Sequence, residues 1–195
     1  LEAGLMAVLA EPENARALYE QALRKAARWR QWDYVRDSST ALMELLVIDL
    51  GRHDEGMRYW DLVWGLSENN PRHAAVVQEA YGSVLRELGR YDESEQALRE
   101  SLVERERKLG PSHPAVGELR ASLSYTLILL ERPVEAEAEA GRALNILEGA
   151  LGPDHPRVCA ARTMLAELLQ TRGAIGEAES LLRAVVSSRR RLLPQ

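Results

Sequence analysis

Leu109-Gly110-Pro111-Ser112-His113-Pro114-Ala115-Val116 returns 42 residues later as Leu151-Gly152-Pro153-Asp154-His155-Pro156-Arg157-Val158. A weaker copy, Pro71-Arg72-His73-Ala74, stands one such interval before the first, counted from Ala74 to Val116. The residues after each copy keep the register. After Ala74 come Tyr81-Gly82, Leu85, the turn Leu88-Gly89-Arg90-Tyr91, then Ser94, Leu98 and Ser101. After Val116 come Leu123-Ser124, Leu127, the turn Glu131-Arg132-Pro133, then Ala136, Ala140 and Ala143. After Val158 come Leu165-Ala166, Leu169, the turn Arg172-Gly173-Ala174, then Ala178, Leu182 and Val185. A fixed period of this length marks stacked units, none of which buries its apolar face alone.

Each unit reads as two amphipathic helices joined by a tight turn, because its apolar and small residues recur at spacings of three and four. Gly89 and Gly173 stand where a helix ends in a left-handed cap, which glycine adopts without a Cβ penalty. Pro71, Pro114, Pro133 and Pro156 stand at helix starts, where the missing N–H costs nothing. Gly82, Ser124 and Ala166 on the first helices, and Ser94, Ala136 and Ala178 on the second, mark where the paired helices cross most closely. Upstream, Leu50-Gly51-Arg52-His53-Asp54-Glu55-Gly56 matches Leu88-Gly89-Arg90-Tyr91-Asp92-Glu93-Ser94 at an offset of 38. That match defines a divergent unit with Met43, Val47, Trp60 and Val63 in its seam. Earlier still, Ala15, Tyr19 and Ala22 fit a second helix starting at Pro12, preceded by a short first helix, Leu1–Leu9. The short helix and the missing initiator Met point to a chain that begins inside a hairpin of a longer protein.

The expected fold is therefore all-α, a right-handed superhelix (α-solenoid) of about five antiparallel helical hairpins. Residues 1–195 form one array, with divergent hairpins over 1–70 and three regular repeats over 71–195. The small/large pattern in each hairpin resembles the tetratricopeptide repeat, and the 42-residue period with Leu-Gly-Pro-Asp-His-Pro-x-Val resembles its kinesin-light-chain subtype. The layout is also similar to arrays attached to bacterial serine/threonine kinases. Repeats of the subtype carry paired Asn that clamp a bound peptide's backbone; the matching positions here are Glu79/Ala80, Ala121/Ser122 and Thr163/Met164, so this chain departs from that mode.

Composition narrows the function classes. Of 195 residues, 46% are apolar and 28% charged, with net charge −5, one Cys and no Phe. One Cys excludes an internal disulfide framework and any CxxC zinc site. No apolar run approaches the ~20 residues of a membrane span. An acidic chain is a poor match to nucleic acid. There is no Gly-rich phosphate loop, no kinase signature, no GxSxG and no HExxH, so the chain is expected to be no enzyme and to need no cofactor or metal. His113 and His155, and likewise His53 and His73, read as residues that cap or brace loops. Glu135, Glu137 and Glu139, with Glu177 and Glu179, read as solvated faces. Cys159 reads as a buried seam residue, and Arg189-Arg190-Arg191 as a match to the negative end of a helix dipole. Eight of the ten aromatics lie at or before Tyr81; Trp60 and Trp64 are expected to fill a seam, and Trp29 and Trp32 to flank a loop partly exposed.

The first helices of an array line a concave groove suited to an extended peptide or a partner helix. One face around from the seam stand Ser38, Ala41, Leu45 and Asp49; Glu79, Ser83 and Arg86; Ala121, Tyr125 and Ile128; and Thr163, Glu167 and Gln170. Leu45, Ala121, Tyr125 and Ile128 form an apolar middle flanked by Glu79, Arg86 and Glu167, a composition for an apolar anchor with polar register contacts. The reading is a non-catalytic protein-interaction scaffold with a protein or peptide partner, cytoplasmic, without nucleic acid or membrane, and able to self-associate through open ends. The alternative is a regulatory or substrate-recruiting segment of a larger bacterial signalling protein such as a serine/threonine kinase.

Overall fold

The computed structural model describes residues 12–67 and 71–192. Nine helices and no strand occur among them: α1 (Pro12–Arg28), α2 (Trp32–Glu44), α3 (His53–Ser67), α4 (Pro71–Glu87), α5 (Tyr91–Leu109), α6 (Pro114–Leu129), α7 (Pro133–Leu151), α8 (Pro156–Thr171) and α9 (Ile175–Leu192). A single π-helical turn, Leu45–Asp49, continues α2. The expected helix Leu1–Leu9 and the side chain of His73 lie outside the described residues. The chain divides into two compact units, Leu1–Ala97 and Leu98–Gln195. The fold is all-α, made of repeated antiparallel hairpins, the local architecture of an α-solenoid.

The hairpin turns share one geometry. Gly51, Gly89 and Gly173 have φ of +63°, +73° and +86°. Glu131, which occupies the glycine position of the middle repeat, takes φ +57° despite its Cβ. Past this residue the chain closes back on the helix, with Arg90 N–H donating to Leu85 O, Arg132 N–H to Leu127 O and Ala174 N–H to Leu169 O at 2.8–2.9 Å. Each of these bonds spans five residues and satisfies a carbonyl that the helix end leaves open. In the α2–α3 hairpin the same bond spans six, from Arg52 N–H to Leu46 O. The extra residue is the one the π turn accommodates.

The crossing points lie where small residues were expected, and two of them are hydrogen bonded. Ser94 Oγ–H donates to Gly82 O, and Ser124 Oγ–H donates to Ala136 O, both at 2.7 Å and fully buried. In the last repeat the pair is Ala166 and Ala178, both fully buried and without hydroxyls. Gly56 plays this part for α3: a Cβ there would meet Met43 O at 3.0 Å and Val47 Cγ2 at 2.5 Å. Met43 is 13 residues before Gly56, against 12 for Gly82 and Ser94, which counts the π insertion a second time. α3 is 15 residues long, whereas α5 and α7 are 19. The offset of 38 in place of 42 is thus the loss of about one helical turn.

In the first unit Met43, Val47, Ala80 and Val84 form a core on which Met57, Tyr59 and Trp60 pack. Trp60 stacks on Tyr81 (centroids 3.6 Å) and on Trp64 (5.3 Å). Trp60 thus fills the seam as expected, while Trp64 joins it by stacking on Trp60. In the second unit Leu98, Leu102, Val116, Leu119, Leu123, Leu127, Ala136 and Ala140 form the largest cluster, and a second joins Leu144 and Leu147 to Val158 and Ala161. Cys159 is buried beside them. α6 and α8 begin with matching caps: His113 Nδ1 accepts from Ala115 N–H and His155 Nδ1 from Arg157 N–H, both at 3.2 Å. An imidazole nitrogen here replaces the Ser or Asp oxygen of an ordinary N-cap, with Pro at the next position.

Two expectations are corrected. Ala22 is exposed; the buried contact residues of α1 are Ala15 and Ala26. Glu139 is buried, not solvated. It sits one residue before the seam position Ala140 and turns toward α6, where Arg120 receives it. The alternation of Glu135, Glu137 and Glu139 distributes them around α7, so only one meets that neighbour. Glu135 stays on the surface in a bidentate pair with Arg132, as Glu93 does with Arg90 one repeat earlier.

Candidate protein-interaction surface

In the second unit the first helices α6 and α8 present Ala121, Tyr125 and Ile128, and Thr163, Glu167 and Gln170. Ala121 opens into a cavity of about 350 Å³ whose apolar lining is completed by Leu147, Ala160, Ala161 and Met164. Glu118 of α6 and Arg157 of α8 form its rim and an ion pair. Tyr125, 47% exposed, stands one turn along α6 from Ala121. Ile128 is partly buried and packs on the Leu119–Leu127 core, and Thr163 donates its hydroxyl to Cys159 O at 3.0 Å. Glu167 is exposed. Gln170 lines a different groove with residues of α9. The structure thus assembles Ala121 with six residues that sequence reading did not select: Glu118, Leu147, Arg157, Ala160, Ala161 and Met164. Their signal was present in the period, since Glu118 and Ala160, like Ala121 and Met164, sit close to equivalent places on successive first helices.

In the first unit Ser38, Ala41 and Leu45 are half-buried on α2 and the π turn, Asp49 is exposed, and Glu79, Ser83 and Arg86 are half-buried on α4. Glu44, at the end of α2, feels the charges of both Glu79 and Asp49. Burial pushes the Glu44 carboxyl above its ordinary range, and the charges of Glu79 and Asp49 push it further the same way. The first-helix face of this unit thus carries a group of acidic residues. Trp29, Trp32 and Tyr34 are all well exposed around the α1–α2 turn.

Beneath the surface runs an ionic arrangement that repeats with the 42-residue period. Arg120 of α6 pairs with Glu106 of α5 and, at 2.6 Å, with Glu139 of α7. One period on, Arg162 of α8 pairs with Glu148 of α7 at 2.8 Å and donates to Pro153 O at 2.9 Å. Both arginines are nearly buried, and each ties the first helix of a repeat to the second helix before it. A buried guanidinium needs several acceptors to offset its desolvation, and the carboxylates supply them. Arg191 of the terminal basic run reaches Asp154 in the loop before α8; its role is to brace that loop as well as to match the helix dipole.

Repeated hairpins with small-residue crossings and left-handed turns define a helical-repeat protein of the class that serves protein interaction. The Tetratricopeptide repeat profile matches residues 73–148 and 121–191, more than half of the chain, which belongs to that family. Comparison with curated protein sequences finds no significant match. Among solved structures, BtubC (BKLC) from P. vanneervenii is similar with a TM-score of 0.83 at 14% identity, covering 94% of this chain and 76% of that one. A putative kinesin light chain of nearly identical TPR-like repeats from Podosopora anserina gives 0.73 at 18% identity, covering 99% and 94%. The apo form of the quorum sensor NprR from B. thuringiensis gives 0.60 at 12% identity, covering 96% and 63%. These identities speak to the fold.

Proposed function

We propose that the chain is a non-catalytic scaffold that binds a peptide or helix of a protein partner on its first-helix face, with an apolar side chain of that partner seated between α6 and α8. The observation that carries this reading is the 350 Å³ cavity: an apolar floor of Ala121, Leu147, Ala160, Ala161 and Met164 under the Glu118–Arg157 pair. Sites of this kind anchor ligands by an apolar group and orient them by a few polar ones. Tyr125, a rigid half-exposed aromatic, extends the contact along α6. Asp49 and Glu79, with Glu44, supply polar register contacts to a basic stretch of a partner on the first unit. A cytoplasmic setting and a regulatory or substrate-recruiting role within a larger bacterial signalling protein, such as a serine/threonine kinase, are the finer form of this reading. The layout of divergent hairpins followed by three regular repeats supports it, and a kinase signature in the same gene tests it.

The binding test is affinity capture with the wild-type chain, Ala121→Arg and Tyr125→Ala. Filling the cavity with an arginine is expected to weaken a captured partner at least tenfold, and removing the tyrosine ring to weaken it about fivefold or more. A partner retained equally by all three folded proteins refutes the placement of the site.

A further inference from the structure

The two ends of the α6–α8 cavity differ in charge. Glu118, Ala121 and Tyr125 run along one stripe of α6, and Ala160, Met164 and Glu167 along the matching stripe of α8, since residues three, four and seven apart share a helix face. Tyr125 and Glu167 stand 42 residues apart, one repeat period, so they flank the same end of the cavity on neighbouring helices. Near the helix starts, Glu118 and Arg157 neutralise one another. At the other end Glu167 is exposed and, among the described residues, takes no ion pair. α6 and α8 end four residues beyond Tyr125 and Glu167, and neither has a basic residue in its last turn. The arginines just past those ends are engaged elsewhere, Arg132 with Glu135 and Arg172 with Glu137 and Glu177. A helix C-terminus carries a partial negative charge that favours a cation, and Glu167 adds a full charge to it. The cavity lies between two complete hairpins, α6–α7 and α8–α9, within the stack and not at its end.

We propose, on the reading that this cavity is the binding site, that its occupant is an extended peptide of a partner protein with a lysine or arginine two residues from the apolar anchor. Ala121 and Tyr125 are one turn, about 6 Å, apart along α6. An extended chain returns to the same side every second residue, about 6.7 Å on. An apolar side chain seated over Ala121 therefore brings the side chain two residues away level with Tyr125 and Glu167. There a cation meets the Glu167 carboxylate, the face of the Tyr125 ring and the negative ends of two helices. An acidic side chain in the same place is repelled by all of them. Charge thus selects the occupant, and the apolar floor alone does not.

The test titrates the isotope-labelled chain with two peptides and follows amide shifts by NMR. The probes are Ser-Lys-Ser-Leu-Ser-Lys-Ser and the same peptide with glutamate in place of both lysines. Each is symmetric about its leucine, so either chain direction offers the same charge at Glu167. Both are expected to shift Ala121, Ala160 and Met164, with the lysine peptide bound about fivefold more tightly. Glu167→Gln is expected to bring the two within about twofold, and Glu167→Lys to reverse their order. About 1 M salt is expected to level the preference without any substitution. Equal binding of the two peptides at the cavity, or a preference that Glu167→Gln and salt leave unmoved, overturns the proposal and leaves the cavity as the site. Absence of shifts at the cavity with both peptides overturns the cavity reading and the proposal together.

Discussion

Replacing Arg120 by methionine tests whether the periodic ion pairs hold the repeats in register. The guanidinium joins α5, α6 and α7 through Glu106 and Glu139; its side chain is 15% exposed and that of Glu139 is 8%. Methionine keeps the apolar volume of the stem but leaves Glu139 with Arg142 alone, at 2.6 Å and 60% exposed. Breaking a buried pair from one side costs about 3–5 kcal/mol. A partner as exposed as Arg142 returns no more than about 1 kcal/mol, so the net loss is about 2–4 kcal/mol. For a chain of this size each kcal/mol moves the thermal midpoint by about 2–4 °C, giving a fall of roughly 6–12 °C for a loss near 3 kcal/mol. Arrays unfold by parts, so amide exchange should also quicken in α6 and α7. The double variant Arg120→Met/Glu139→Leu removes the stranded charge and should recover most of the midpoint, because a whole buried pair exchanged for apolar groups is near neutral. Glu106, a third exposed, stays hydrated. A single-variant shift under 2 °C, or a double variant as unstable as the single, refutes the reasoning.

Glu131→Gly should raise stability by about 0.5–1 kcal/mol, because the φ of +57° strains any residue with a Cβ; a urea midpoint that falls counts against it. Gly56→Ala and Gly141→Ala should act with opposite signs. The first forces a Cβ against Val47 and Met43 O and costs about 1–3 kcal/mol; the second meets nothing within 4 Å and gains up to about 1 kcal/mol of helix propensity. Both are read by thermal melts. Glu44→Gln should stabilise at neutral pH and lose that advantage in acid. Burial, then Glu79 and Asp49, raise the Glu44 carboxyl, so the native state holds its proton more tightly than the unfolded chain. The wild type therefore loses stability as pH rises from the ordinary glutamate value through the raised one, and the neutral amide does not. Melts at pH 7 and pH 4 check the sign.

The repeat order, the turns and the crossings were legible because each rests on a local rule repeated three times. Gly82 with Ser94, Ser124 with Ala136, and Ala166 with Ala178 meet as the period requires, and His113 and His155 cap the helices they precede. The fate of single carboxylates was less legible. Glu135, Glu137 and Glu139 look alike along α7, and only the approach of α6 with Arg120 decides that one is buried. The clue lay in pairs, not single residues: Arg120 and Arg162 share the 42-residue interval with Glu106 and Glu148. Glu44 was passed over because Glu79, the larger of its two charged influences, is brought near it by packing, not by spacing. Of the expected groove residues, Tyr125 is exposed and Ala121 half-buried at the cavity. Ile128 is shared with the core, and Gln170 belongs with α9.

The shortened α3 and the π turn after α2 amount to a rule for editing this chain. Four residues of α-helix turn the backbone by about 400°, so removing four from a second helix leaves its apolar stripe only about 40° from where it began. Removing two rotates the stripe by about 200° and aims it at solvent. A single added residue has another outlet, a locally widened turn that returns the helix to phase before the glycine that ends it. Insertions and deletions should therefore survive as near-whole turns or as lone π residues, and chimeric arrays should be spliced in 42-residue cassettes between one His-Pro cap and the next.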